Sequence, residues 1–333
     1  MRKAIYLYKS GSLIRSSNNL IFETNEEKIY LPIFQIDTIN VFNHINLNKN
    51  TIILLNNYDI LVNFFDYNGN YKGTYYPYYP IKGEYLKKQV LFLNDNNQKI
   101  NLAKKIIQAS MINMMALVKY YHKKNLFFTS ELNKMKRMLS EFNRIDINNT
   151  TIDNLMIHEA KFKQLYYSCF TKITKNKDFS FIERSTRPPK DPINAIMSYG
   201  YSLLYTLIAN ALFRSRLHIS LPIIHSNIRR EEGLQYDIAD IFKPVVVDRL
   251  IFRLINKNQI SINHFDKTDK GVYLNKEGAQ IFIEEFEGLL KNTISLSSSK
   301  RKLSYRSIIS AEIHKISNHI FLNKEYNSFK MKW

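Results

Sequence analysis

One cysteine, Cys169, stands in 333 residues, so the chain can form neither an internal disulfide nor a cysteine-rich zinc site. A charge-free apolar run of about 18 or more residues, as a membrane span needs, is not read in the sequence, and no span is expected. The N-terminal stretch MRKAIYLYKSGSLIRSS opens with basic residues, but its apolar part is far too short for a signal peptide. A cytoplasmic protein is the simple expectation. Acidic residues are also in short supply: 29 Asp and Glu against 48 Lys and Arg leave a formal charge of +19. What is plentiful is apolar side chain, 45% of the total, enough to bury the cores of two domains.

The positive charge is unevenly spread. Residues 1–85 hold eight Lys/Arg against seven Asp/Glu, whereas residues 86–333 hold 40 against 22. Of the 48 basic residues 34 are Lys, as a biased amino-acid usage would give, but bias alone would load both parts alike. A basic part beside a neutral one points to a domain that faces a polyanion, and nucleic acid is the expected partner.

Residues 1–80 read as β structure. Segments rich in β-branched and aromatic residues recur at 4–8, 20–24, 28–34, 51–55 (TIILL) and 60–65. Asn68-Gly69 marks a tight turn. Short, closely spaced strands suggest a small sandwich or curled sheet. His44 stands alone and reads as a turn or surface histidine. The Pro- and Tyr-rich segment TYYPYYPIKGEY (74–85) ends the alternation and carries the domain boundary. Helical spacing follows, with Leu102, Ile106, Ile107, Met111, Met114 and Met115 on one face, and a second short amphipathic helix over 130–144. The last segment, EYNSFKMKW, reads as a tail.

Within Thr151–Phe170, the residues Ile152, Leu155, Met156, Phe162, Tyr166, Cys169 and Phe170 form one apolar helical stripe, with Thr150 or Thr151 placed to cap it. Glu159 interrupts that stripe. A buried carboxylate costs several kcal/mol, roughly, unless a cation meets it. The cation could be a buried Lys or Arg, or a metal ion, and a shallow position could instead let the carboxylate reach water. Further on, Asp191 is placed to cap a helix beginning at Pro192, with Arg184, Arg187 and Lys190 crowding the loop before it. A helix N-terminus flanked by Arg side chains suits a phosphate, and a solvated charged loop reads equally well. In the run 217–256, His225 ends an apolar stretch, Arg229 and Arg230 follow, and Asp237 and Asp240 are spaced to share one helix face. Pro244 separates these from a second apolar helix, Val245–Ile255, carrying Arg249 and Arg253. Mixed carboxylate and imidazole groups suit Mg²⁺ or Mn²⁺.

These residues resemble, over nearly the whole chain, the CRISPR-associated integrase/endonuclease family, the universal metal-dependent subunit of spacer acquisition. The resemblance is carried by RPPKDPINAIMSYGYSLLY, the apolar run into His225, YDIADIFKPVVVDRLIFRLIN and, around Glu159, EAKFKQLYY. VFNHINLNKNTIILLNNYDILVNFFDYNGNYKG and KGEYLKKQ are similar to the end of the family's β domain and the start of its helical one. The spacing is most similar to the branch found beside class 1 (type I) multi-subunit systems. The resemblance implies that Glu159, His225 and Asp240 are the metal ligands and catalytic residues, with Mg²⁺ or Mn²⁺ as cofactor. Asp237 would be the assisting acid, and Lys243 would lie near a DNA phosphate. Arg184, Arg187, Lys190 and Arg249 join Lys243 as expected DNA contacts. The chain departs from common family residues at Ala160, Lys163, Pro222 and Ser226, which bears on DNA contacts and loop shape.

The expected fold is α+β in two domains. Residues 1–82 would form a small β-sandwich-like dimerisation domain, and 83–333 a larger all-α catalytic, DNA-binding domain. The implied function is insertion of new spacer DNA into a CRISPR array by 3′-hydroxyl transesterification. It would act as a homodimer with a small CRISPR-associated partner subunit on double-stranded DNA. Two other functions compete: a stand-alone structure-specific nuclease, and a basic DNA-binding scaffold without catalysis.

Overall fold

A computed structural model describes residues 2–78, 81–124, 127–225, 233–295 and 302–333. Tyr79, Ser226, Arg229, Arg230, Lys300 and Arg301 therefore lie outside the described residues. The chain divides into two compact units, Met1–Pro80 and Ile81–Trp333.

The first unit contains β1 (Lys3–Leu7), β2 (Gly11–Ser16), β3 (Asn19–Glu23), β4 (Lys28–Leu31), β5 (Ile36–Val41), β6 (Ile45–Leu47), helix α1 (Lys49–Asn57), β7 (Leu61–Phe65) and β8 (Tyr71–Tyr75). They build two four-stranded sheets, in the orders β1-β5-β7-β8 and β4-β3-β2-β6. Leu13 and Leu20 from one sheet and Ile39 and Val62 from the other share a single apolar core, so the unit is a small sandwich. Between β7 and β8, Gly69 takes a φ of +77° and the Asp66 carboxylate accepts the backbone N–H groups of Asn68 and Asn70. That is the expected Asn-Gly turn.

TIILL is a helix, against the expectation of a strand. β5 and β7 run parallel, and a parallel pair needs a crossover, which α1 supplies. The Asn48 side chain caps α1 by accepting from Thr51 N, and Thr51, Leu54 and Leu55 turn inward. Tertiary demand overrides the β-branched composition here.

The second unit is mostly helical. It contains α2 (Gly83–Asn94), α3 (Asn96–His122), α4 (Thr129–Asn143), α5 (Ile152–Tyr167), the single turn α6 (Phe170–Ile173), α7 (Pro192–Phe213), α8 (Leu234–Phe242), α9 (Arg249–Asn256), α10 (Lys276–Lys291) and α11 (Tyr305–Leu322). Two small antiparallel ribbons, β9 (Phe265–Thr268) with β10 (Gly271–Leu274) and β11 (Thr293–Ser295) with β12 (Lys302–Ser304), keep it from being purely α. Caps fall where the residue types place them. Thr151 accepts from Asn154 N at the start of α5, and Asp191 from Asn194 N at 2.8 Å at the start of α7.

Against the expectation that no such run exists, helix α7 has no charged residue in 22 and is long and apolar enough to cross a membrane by length and composition alone. It is instead a core helix, with Ile193, Ile196, Met197, Leu204, Ile208 and Leu212 fully buried. Its Gly200 lies where a Cβ would come within 2.6 Å of Val247 Cγ1 and 2.7 Å of Phe282 Cζ, so glycine permits the close packing.

Two more expectations change. Pro244 does not separate two helices: α8 runs through a π-helical segment, Lys243–Asp248, straight into α9. Proline has no N–H to give to a preceding carbonyl, and the wider π turns absorb the misfit. The expected tail is packed rather than loose. Tyr326, Phe329 and Met331 are buried, and the Glu312 carboxylate accepts from Tyr326 Oη and Phe329 N. Asn113 of α3 fastens the same segment by accepting from Met331 N at 2.7 Å.

Candidate active site

Three helical elements converge on one buried polar cluster. Helix α5 contributes Glu159, Lys163 and Tyr166, spaced four and three residues apart and so on one face. The α8–α9 rod contributes Asp237, Asp240, Lys243 and Asp248, and α7 contributes Tyr201 and Tyr205. The π segment shifts the register between Asp240 and Asp248, so a strict 3.6-residue period does not predict which residues share a face.

Glu159 and Asp240 are both nearly inaccessible, at 5% and 4% exposure. Lys163 bridges them, with Nζ 3.0 Å from Glu159 Oε1 and 3.0 Å from Asp240 Oδ2. Lys243 holds the other Asp240 oxygen, at 2.5 Å, and its ammonium lies over the rings of Tyr201 and Tyr205, 5.0 Å from each centroid. The two carboxylates are driven apart. Burial raises the Glu159 pKa, with Lys163 pulling it down and Asp240 pushing it up. Burial also penalises the Asp240 charge, but Lys163, Lys243 and His225 outweigh it and hold Asp240 below the ordinary carboxylate range. Both lysines lose from burial and gain more from the carboxylates, so each stays firmly protonated.

His225 is fastened to Asp237. The fully buried Asp237 carboxylate accepts the backbone N–H groups of Ile223, Ile224 and His225 and the ring Nδ1 of His225, the last at 2.6 Å. A carboxylate taking three backbone donors acts as acceptor, so Nδ1 donates and the lone pair is left on Nε2. Burial lowers the His225 pKa, and the Asp237 hydrogen bond with the charges of Asp237 and Asp240 raises it beyond that loss.

Beneath this layer, Asp248 accepts from Tyr166 Oη and Tyr201 Oη, each at 2.7 Å. Burial pushes its pKa up to about 6 despite those two donors and the charges of Lys243 and Arg184.

The remaining expected residues make no hydrogen bond to Glu159 or Asp240 among the described residues. Arg184 is half-buried, donates to Asn194 Oδ1 at 2.9 Å and Ser198 Oγ at 3.0 Å, and lies over the Tyr201 ring. It ties the preceding loop to the start of α7. Arg187 and Lys190 are exposed on that loop. Arg249 donates to Tyr305 Oη and stacks near Tyr120 and Trp333, lining a cavity of about 200 Å³ with Arg253, Asn292 and Thr293.

Among the described residues, no three His, Cys, Asp or Glu side chains stand together as a ready metal site. The ammonium of Lys163 occupies the space between Glu159 and Asp240 and is a stand-in cation for that space. Carboxylates and an imidazole lone pair are the donor types that suit Mg²⁺ or Mn²⁺. A buried Lys facing Glu159 is one of the cations the sequence allows; that it is Lys163, that it is shared with Asp240, and that Asp248 carries two tyrosines are not read from the sequence. The i, i+4 spacing of Glu159 and Lys163 was the signal for the first.

The family model described as CRISPR associated protein Cas1 matches residues 5–288. A CRISPR-associated endonuclease Cas1 of Thermodesulfovibrio yellowstonii is 33% identical over 334 residues, covering the whole of both chains. A solved CAS1 protein from Thermotoga maritima is 30% identical and matches 98% of this chain and 100% of its own, with a TM-score of 0.86. Two more distant structures are alike in fold. A casposase bound to integration product is 20% identical with a TM-score of 0.85, over 98% of this chain and 93% of that one. A Cas6-RT-Cas1–Cas2 complex is 18% identical with a TM-score of 0.83, over 100% of this chain and 36% of that one.

Proposed function

This chain belongs to the family of CRISPR-associated protein Cas1, and on that premise we propose that it is a metal-dependent DNA integrase of CRISPR adaptation. The 3′-hydroxyl of a captured DNA fragment attacks a phosphodiester at the edge of a CRISPR repeat, and the new bond forms as the old 3′-oxygen leaves. The observation that carries this reading is the pair Glu159 and Asp240, two buried carboxylates from separate helices facing one cation inside the basic unit. The residues outside Met1–Pro80 carry +18 of the formal charge, which suits a duplex.

In this reading Glu159, Asp240 and His225 Nε2 hold Mg²⁺ or Mn²⁺. When bound, the ion supplies Lewis-acid stabilisation of the charge that develops on the phosphoryl and leaving oxygens. Asp237 fixes the tautomer and direction of His225, the carboxylate–imidazole arrangement that strengthens a ligand. Lys243, braced by two tyrosine rings, keeps a positive charge beside Asp240 for the scissile phosphate. Arg187 and Lys190 are free to follow the DNA backbone. Water in place of the 3′-hydroxyl gives nuclease activity from the same groups.

The β unit is the proposed homodimer contact, and a small CRISPR-associated subunit is the proposed partner. The named Cas1–Cas2 assembly of a fold relative supports the latter. A second reading, a DNA-binding scaffold without catalysis, draws on Lys163, which already satisfies both carboxylates. An integration assay with Mn²⁺, a CRISPR array and short duplex fragments separates the two. Glu159→Ala and His225→Ala are expected to lose half-site product while retaining salt-sensitive DNA binding. Wild-type product levels from either variant would refute the metal assignment.

A further inference from the structure

We propose that Lys163 is a resident counter-cation of the Glu159–Asp240 pair, which holds the metal-free site together and which a divalent ion must displace. The inference rests on the reading of those two carboxylates as ligands and goes beyond it.

The geometry is specific. One ammonium stands 3.0 Å from an oxygen of each carboxylate, and its side chain is only 25% exposed. Without it, two buried negative charges would face each other with no counter-charge between them, a strongly unfavourable arrangement. A divalent ion binds carboxylate oxygens at about 2.1 Å, so it cannot use the same two oxygens while the ammonium remains between them. Its positive charge would also repel Lys163 at short range in a low-dielectric setting. The four groups Glu159, Asp240, Lys163 and Lys243 are already balanced in charge. Lys243 is held by Asp240 and by the two tyrosine rings. Among the described residues Lys163 is held by the two carboxylates, and it has a flexible four-carbon stem, so it is the group able to leave. The protein thereby keeps a folded, preorganised site without metal and gives up part of its metal affinity in return.

Two variants of the full-length chain test this, Lys163→Met and Lys163→Gln, beside Glu159→Gln. Mn²⁺ binding is read by calorimetry, and thermal melting is read in EDTA and in saturating Mn²⁺. The expected result for Lys163→Met is Mn²⁺ binding roughly ten-fold tighter or more than wild type, with a lower melting temperature in EDTA that Mn²⁺ restores. Lys163→Gln, whose amide still donates to one carboxylate, is expected to shift both readouts the same way by less. It carries the test if the Met variant does not fold. Unchanged or weaker Mn²⁺ binding by the Lys163 variants, with binding abolished in Glu159→Gln, would overturn the displacement idea while leaving the metal site intact. Mn²⁺ binding that is the same in wild type and Glu159→Gln would overturn the ligand reading itself, and this inference with it.

Discussion

Replacing Asp248 by Asn should change the pH dependence of stability in a way that can be worked out in advance. Asp248 is 1% exposed and accepts two tyrosine hydroxyls at 2.7 Å. Burial is the largest influence on it and lifts its pKa from 3.8 to about 6. The folded chain thus keeps this proton to higher pH than the unfolded chain does. The sign follows: the stability contributed by the raised pKa is fully present below pH ~4 and is lost as the pH climbs through ~6. A shift of about two pKa units corresponds to about 3 kcal/mol. Asn cannot ionise. Its oxygen accepts from one tyrosine hydroxyl, and its amide donates to the oxygen of the other. Between pH 4 and pH 7 Asp248→Asn should therefore gain about 3 kcal/mol on the wild type, or roughly 6–12 °C in melting temperature for a unit of this size. Paired thermal melts at pH 4, 5, 6 and 7 measure it, because the titrations of other groups cancel in the difference. Parallel pH profiles for the two proteins would refute the claim that burial dominates at Asp248.

Gly200→Ala places a methyl group within 2.7 Å of Val247 and Phe282 and should cost about 1–3 kcal/mol in denaturant titrations. Because Val247 belongs to the π segment, the same change should also lower the proposed integration activity. Glu312→Ala removes the acceptor for Tyr326 Oη and Phe329 N, and should cost about 3 kcal/mol and expose 323–333 to limited proteolysis. Tyr326→Phe, which removes one donor only, should cost about 1 kcal/mol.

Glu159 was legible because a carboxylate interrupted an apolar stripe, and Thr151, Asp191 and Asn68-Gly69 because each supplies one local hydrogen bond or backbone angle. The β sandwich and the helical unit follow from the switch of periodicity near residue 80. What escaped depends on partners distant in sequence. TIILL has the composition of a strand and becomes a helix only because β5 and β7 are parallel and must be joined by a crossover. Asp248 interrupts an apolar helix as plainly as Glu159 does. Its facing is hidden in the sequence because Pro244 reads as a break, whereas the π turns carry the rod onward and change its register. The final segment lacks periodicity, so nothing local shows that Asn113 and Glu312 will hold it. The grouping of Glu159 with Asp240 came from the family resemblance rather than from spacing, and Lys163 between them is what the structure adds.

The interruption at Glu159 is the place where a bound metal ion can be sought most directly. Anomalous scattering from crystals soaked in Mn²⁺ would locate any bound ion directly. One peak bounded by Glu159, Asp240 and His225 Nε2 is expected, with the Lys163 ammonium withdrawn from between the carboxylates. A peak elsewhere, or none while Lys163 still bridges Glu159 and Asp240 in saturating Mn²⁺, would contradict the metal assignment.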